Sequence, residues 1–213
     1  MKLRMKLMVL INIFHLKSCQ FKTILYFRCL NIKYNYMADI KWLLDPMHAE
    51  IQFKIRHLMI SNVTGSFSKF NATVETTDDN FETAKVNFTA EVDSITTNNE
   101  QRDGHLKSAD FFETGKYPIL SFVSTKLEKV SGEDYILYGD LTFHGVTKNI
   151  KLNVEHGGVI RDPYGNTRTG FIVEGKINRK DYGLSWNAVT EAGGVVLSDD
   201  VKIHASVEFI KAA

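Results

Sequence analysis

Residues 84–93 read Ala84-Lys-Val-Asn-Phe-Thr-Ala-Glu-Val-Asp93. Ala84, Val86, Phe88, Ala90 and Val92 fall on one parity; Lys85, Asn87, Thr89, Glu91 and Asp93 fall on the other. Alternation of apolar and polar residues over this length marks a β-strand with one face buried and the other in water. The pattern recurs on both sides. Upstream, Glu50–Arg56 places Ile51, Phe53 and Ile55 opposite Gln52, Lys54 and Arg56, and Phe70, Ala72 and Val74 share a face. Downstream, a strand starts after Pro118 with Leu120 and Phe122 in phase and ends near Leu127. A Ser131-Gly132 turn signal then leads into Tyr135, Leu137, Gly139, Leu141 and Phe143, followed by Ile150, Leu152 and Val154. Beyond a glycine-containing loop over 157–168 come Phe171, Val173, Gly175 and Ile177, and finally Val201, Ile203, Ala205, Val207 and Phe209. About eight strands are expected.

Long antiparallel strands with one apolar face pair sheet on sheet or close on themselves, and closure removes exposed edges. The expected fold is therefore mainly β: an extended eight-stranded antiparallel barrel, with a short helical segment at about 99–113 capping it. The second face is densely charged, which places water outside and disfavours a transmembrane barrel, whose outer face is apolar. An eight-stranded bore is just wide enough to be filled by side chains or to hold one small ligand. The inner parity mixes Phe53, Phe88, Phe122, Phe143 and Phe171 with Ala72, Ala84, Ala90, Gly139, Gly175 and Ala205. From these residues alone a filled core and a cavity stay equally open.

The chain of 213 residues is long enough to bury a core without a disulfide or a metal. Its formal charge of +1 hides two pieces. Residues 1–36 hold seven of the 26 basic residues and no acidic one, which leaves 19 basic against 25 acidic residues from Met37 onward. A body at −6 argues against a nucleic-acid partner. Residues 1–36 also hold both cysteines, Cys19 and Cys29. The preferred reading takes this leader as lying outside the fold, with translation starting at Met37, a domain over 37–213 and a cytoplasmic protein. The alternatives are a structural element, or a secretory leader with a Leu16-Lys17-Ser18-Cys19 cleavage outline, giving a periplasmic or Cys19-anchored protein. No run approaches the ~18 to 20 uncharged residues of a spanning helix, because Lys17, Lys22 and Arg28 interrupt it.

The irregular block from Arg102 to Ser124 gathers the chemistry-bearing side chains. Arg102 and His105 are candidates for a ligand's polar head group, against the plainer reading of an Arg102–Asp103 pair that caps a helix. His57 and His144 lie at strand ends and read as structural; His144-Gly145 and Asp181-Tyr182-Gly183 read as turns. A metal- or histidine-dependent hydrolase using Asp103 and His105 with His57 or His144 is the alternative function. No His-x-x-x-His, paired Cys-x-x-Cys or Gly-x-Ser-x-Gly spacing supports it. No catalytic residue, metal or cofactor is expected.

In order and spacing, several groups together resemble the YceI-like family of lipid-binding proteins from Trp42 to Ile210. They are Trp42, Asp45 and His48; Phe53 and His57; Gly65 and Phe67; Arg102-Asp103, His105-Leu106 and Phe111-Phe112; Tyr117-Pro118, Phe122 and Ser124; the run Gly139–Thr147; and Arg179, Tyr182 and Gly183. Ala49 departs from the pattern, which more often has Ser there. The resemblance implies a lipocalin-like barrel whose bore binds a long-chain amphiphile, a polyisoprenoid or fatty-acid derivative, for storage, transport or stress response. On that reading the lipid contacts Phe53, Ile55, Phe70, Val86, Phe88, Leu106, Phe111, Phe112, Leu120, Phe122, Leu137, Leu141, Phe143, Phe171, Val173, Ile203 and Val207. Whether the barrel forms a homodimer is left open.

Overall fold

The computed structural model describes residues 39–77, 81–188 and 196–212. The leader over 1–36 lies outside the described residues. Ten strands follow in chain order: β1 Ile40–His57, β2 Ser61–Phe67, β3 Phe70–Thr76, β4 Lys85–Glu91, β5 Ile95–Thr96, β6 Ile119–Ser131, β7 Asp134–Phe143, β8 Val146–Arg161, β9 Thr167–Asn178 and β10 Leu197–Lys211. One α-helix among the described residues, α1 Glu100–Lys107, sits between β5 and β6.

Antiparallel pairing runs β1, β10, β9, β8, β7, β6, β4, β3 and back to β1, so the sheet closes into an eight-stranded barrel. The two additional strands extend walls already present. β2 pairs with Gln52–His57 of β1 and leads into β3, which pairs with Ile40–Leu43 of the same strand. β4 leads through a 3-10 turn at Val92–Ser94 into β5, which pairs with the end of β2. Two bent walls thus account for four strands, and the expectation of eight holds for the barrel.

Boundaries differ from the sequence reading where backbone irregularity interrupts the alternation. The first strand begins at Ile40, ten residues before the expected Glu50. Its pairing with β10 passes from Leu44↔Phe209 to Ala49↔Val207, so residues 45–48 bulge outward around Pro46. β2 was not anticipated, because Ser61–Phe67 carries too few apolar residues to show a period. The helix ends at Lys107, short of the expected 113: the Ser108 hydroxyl donates back to the His105 carbonyl, and Ser108 is extended. Asn99 caps its start, the side-chain oxygen accepting from the Arg102 N–H at 2.9 Å.

Aromatic side chains cluster at each end of the barrel. At the end holding Trp42 and the β3–β4 connection, Trp42 (fully buried) packs on Phe81 with ring centroids 5.2 Å apart. Phe81 in turn meets His156 at 4.8 Å and Phe171 at 5.2 Å. At the other end, α1 and the turns after it bring Phe111 against Trp186 at 4.9 Å and Phe112 against Phe143 at 5.1 Å.

Candidate ligand cavity

Between these two aromatic clusters lies a cavity of about 640 Å³, within the usual range for a small-molecule site. Inward-facing residues of the barrel strands and the face of α1 nearest the bore line it. Of the residues expected to contact a lipid, Phe53, Ile55, Val86, Phe88, Leu106, Phe111, Phe112, Leu120, Phe122, Leu137, Leu141, Phe143, Phe171, Val173, Ile203 and Val207 all line this space. Phe70 does not. It sits where β2 bends into β3 and packs on Phe88 at 6.2 Å, with its parity shared but its depth outside the bore.

Ala72, Ala84 and Ala205 line the hollow directly, while two glycines act through their neighbours. A methyl group at Gly139 would overlap the Phe122 ring, and one at Gly175 would overlap the Leu152 side chain. Each glycine thus lets a large neighbour lie flat along the wall. Ser124 pairs with Gly139 across β6 and β7, so Phe122 reaches this site diagonally, as large side chains do on one sheet face. Bulky residues pressed against the wall leave the centre empty.

Polar groups collect at the helix end. His57, Ser61, Asn62, Arg102, His105, Arg179 and Tyr182 line the bore there. Arg102 is held by its neighbours: Nε donates to Thr97 Oγ1 at 2.7 Å and Nη2 to the Thr97 carbonyl at 2.9 Å. Asp103 accepts from the Thr97 N–H at 2.8 Å and hydroxyl at 2.5 Å, and from the Thr96 hydroxyl at 3.1 Å. Burial alone would raise this carboxyl, but those donors hold it below its ordinary value. Arg102 and Asp103 therefore pin α1 to the strand before it. His105 meets Asp110 at 3.1 Å and stands edge-on to Phe111 and Trp186.

The hydrolase constellation does not assemble. Asp103 is engaged by threonines, and His144 is absent from the cavity lining, with Nδ1 donating to the Tyr182 carbonyl at 3.0 Å. His144 and Gly145 form the β7–β8 turn with φ of 50° and 75°, as their sequence suggested. Among the described residues, the one grouping with metal-ligand spacing is Asp45, His48 and Glu208, outside the bore. Its cation is already present: Arg168 Nη1 lies 2.6 Å from both Asp45 and Glu208. Arg168, with His48, holds the Asp45 carboxyl down to about 2.

Arg179 lies outside the expected site residues, yet it lines the bore. It begins a 3-10 turn over Arg179–Tyr182 that Gly183 closes in the left-handed region, φ 78°. The signal was present in the Arg179, Tyr182 and Gly183 group, but an arginine among strand residues reads as solvent-facing until burial is known.

The pattern of the YceI-like domain matches residues 42–209. The chain belongs to the YceI-like family. A UPF0312 protein of Staphylococcus aureus strain MSSA476 is 43% identical over 166 residues, 78% of this chain and 94% of that protein. The Campylobacter jejuni YceI protein superposes with a TM-score of 0.65 at 36% identity, covering 74% of this chain and 90% of its own. A polyisoprenoid binding domain from Saccharophagus degradans, implicated in plant cell wall breakdown, shares the fold at TM-score 0.56 and 19% identity, with 80% and 98% covered.

Proposed function

We propose that the protein binds one long-chain amphiphile, a polyisoprenoid or a fatty-acid derivative, in its bore, and performs no chemistry on it. The observation that carries this reading is the continuous apolar cavity of about 640 Å³. The name of the Saccharophagus degradans domain, which has the same fold, supports the same ligand class. Each methylene removed from water contributes about 0.8 kcal/mol, so a sixteen-carbon chain gains on the order of 10 kcal/mol before the cost of ordering it. Length supplies affinity, and the polar helix end supplies orientation.

Native mass spectrometry of the protein purified from its own source, followed by solvent extraction, tests the proposal. The expected result is a protein mass raised by one lipid. Recovery of ligand-free protein alone, with no uptake of isoprenoid or fatty acid, would overturn it. The same spectrum decides the compartment we infer: a mass starting at Met37 goes with a cytoplasmic protein, and a lipid-modified Cys19 with an anchored one.

A further inference from the structure

The mouth of the bore can be located from its lining. Ser61 and Asn62 at the start of β2, with Arg102 and His105 on α1, line the cavity and are also exposed; every other lining residue is buried or half-buried. The bore therefore reaches the surface between the β1–β2 hairpin and α1. The tip of that hairpin is apolar. Leu58, Met59 and Ile60 are 40%, 53% and 84% exposed, and Leu58 and Met59 are held at φ of 50° and 61°, where Asn-Gly is preferred. Large apolar residues kept in water at the mouth of a cavity, on a strained turn, mark an interaction surface.

The charge beside the tip points to the partner. Arg56 flanks it, Nε donating to the Met59 carbonyl at 3.0 Å. Behind it, Lys54, Lys202 and Lys176 stand side by side on β1, β10 and β9, in register as Lys54↔Lys202 and Lys202↔Lys176. Like charges directly opposite each other repel, so this row costs the sheet stability. Asp199 and Asp200 nearby are taken by Lys180 and Lys176. Among the described residues, Lys54, Arg56 and Lys202 take part in no ion pair. The opposite end also exposes apolar side chains, Ile160 at 64% and Tyr164 at 89%, but they stand among Asp134, Glu155 and Asp162. The mouth end instead sets its apolar tip beside cations.

The spacing fits a lipid surface. Three residues of strand span about 10 Å, so Lys54 stands about that far behind the tip. An interfacial anchor sinks about 5–10 Å into the boundary between head groups and acyl chains. Lysines at that depth lie level with lipid phosphates. We propose that the β1–β2 tip docks the protein on an anionic bilayer surface: Met59 and Ile60 enter the acyl boundary, Lys54, Arg56 and Lys202 meet the phosphates, and the mouth of the bore faces the membrane. That a lipid then passes through this mouth rests on the lipid-binding reading above.

Fluorescence quenching tests this in the full chain, with vesicles of phosphatidylcholine and phosphatidylglycerol carrying brominated acyl chains. Ile60→Trp puts a reporter on the tip and Tyr164→Trp one at the opposite end, both at exposed positions where the fold tolerates them. Ile60→Trp is expected to lose emission beyond the wild type, and Tyr164→Trp to stay at the wild-type level. Adding Lys54→Gln and Lys202→Gln to Ile60→Trp, or leaving out phosphatidylglycerol, should raise the lipid concentration for half-quenching at least about tenfold. Quenching of neither reporter, equal quenching of both, or no dependence on phosphatidylglycerol overturns the docking surface. A dimer that Ile60→Asp dissociates in sedimentation, with no quenching, gives the tip to a second copy and overturns it as well. Palmitic acid added from ethanol and read by native mass spectrometry separates the two readings. Loading without quenching overturns docking and leaves the lipid reading standing, whereas quenching without loading upholds docking and overturns the lipid reading.

Discussion

Phe122 lies flat on the wall of β6 above Gly139, buried, with one face toward the bore. Phe122→Asp places an unpaired carboxylate in that surface, so lipid uptake should vanish and stability should fall by about 3–5 kcal/mol, read as a lower urea midpoint. Unchanged stability would mean that the residue faces water. Asp45 behaves in the opposite way, as a buried charge that is well paired. At 7% exposed it is held by Arg168, and its carboxyl titrates at about 2 against an ordinary value of 3.8. A lowered folded-state value contributes stability that is complete above about pH 4 and is lost as pH falls toward 2. Melting temperatures between pH 5 and pH 2 should fall through that window. In Arg168→Met the fall should be shallower and the melting temperature at neutral pH lower, because Asp45 loses its cation.

At the scale of elements, the β1–β2 hairpin is the least comfortable joint. Leu58 and Met59 have φ of 50° and 61°, the left-handed region that bulky residues avoid. The turn is closed by the Ile60 N–H donating to the His57 carbonyl at 3.2 Å, and Ile60 is 84% exposed. Such turns favour Asn-Gly. Leu58→Asn with Met59→Gly should stabilise by about 1–2 kcal/mol, raising the melting temperature by several degrees in calorimetry. The helix illustrates the reverse case, a weak element held by tertiary bonds. None of its residues is fully buried, yet Arg102 and Asp103 together make five side-chain hydrogen bonds to Thr96 and Thr97.

Along the barrel as a whole, closure of β10 onto β1 leaves no free edge between them and encloses a bore that runs between Trp42 and Phe81 at one end and α1 at the other. Affinity should therefore climb with chain length and then stop. Across a saturated fatty-acid series, each added methylene should tighten binding by up to about fourfold until the bore is full, after which it should level or decline. Titration of C10 to C20 acids reads this directly, and an affinity independent of length would contradict a bore-filling mode.

The barrel and nearly all of its lining were legible in the sequence because one-sided burial imposes a period of two, and that period depends only on neighbours along the chain. Sixteen of the seventeen expected contact residues line the bore; thirteen of them share that inner parity on the strands, Leu106, Phe111 and Phe112 come from the helix and the turns after it, and Phe70 shares the parity but falls where a wall strand bends. What depends on partners far away in sequence could not be read. The bulge over 45–48 carries Asp45, which pairs with Arg168, 123 residues on. Arg179 is buried by the fold, its Nε donating to the Ser198 carbonyl 19 residues on. The residues determined which faces are apolar. The tertiary structure decided that Phe53 and Phe122 lie over glycines of neighbouring strands, that the interior is a cavity, and which polar groups remain without hydrogen-bond partners.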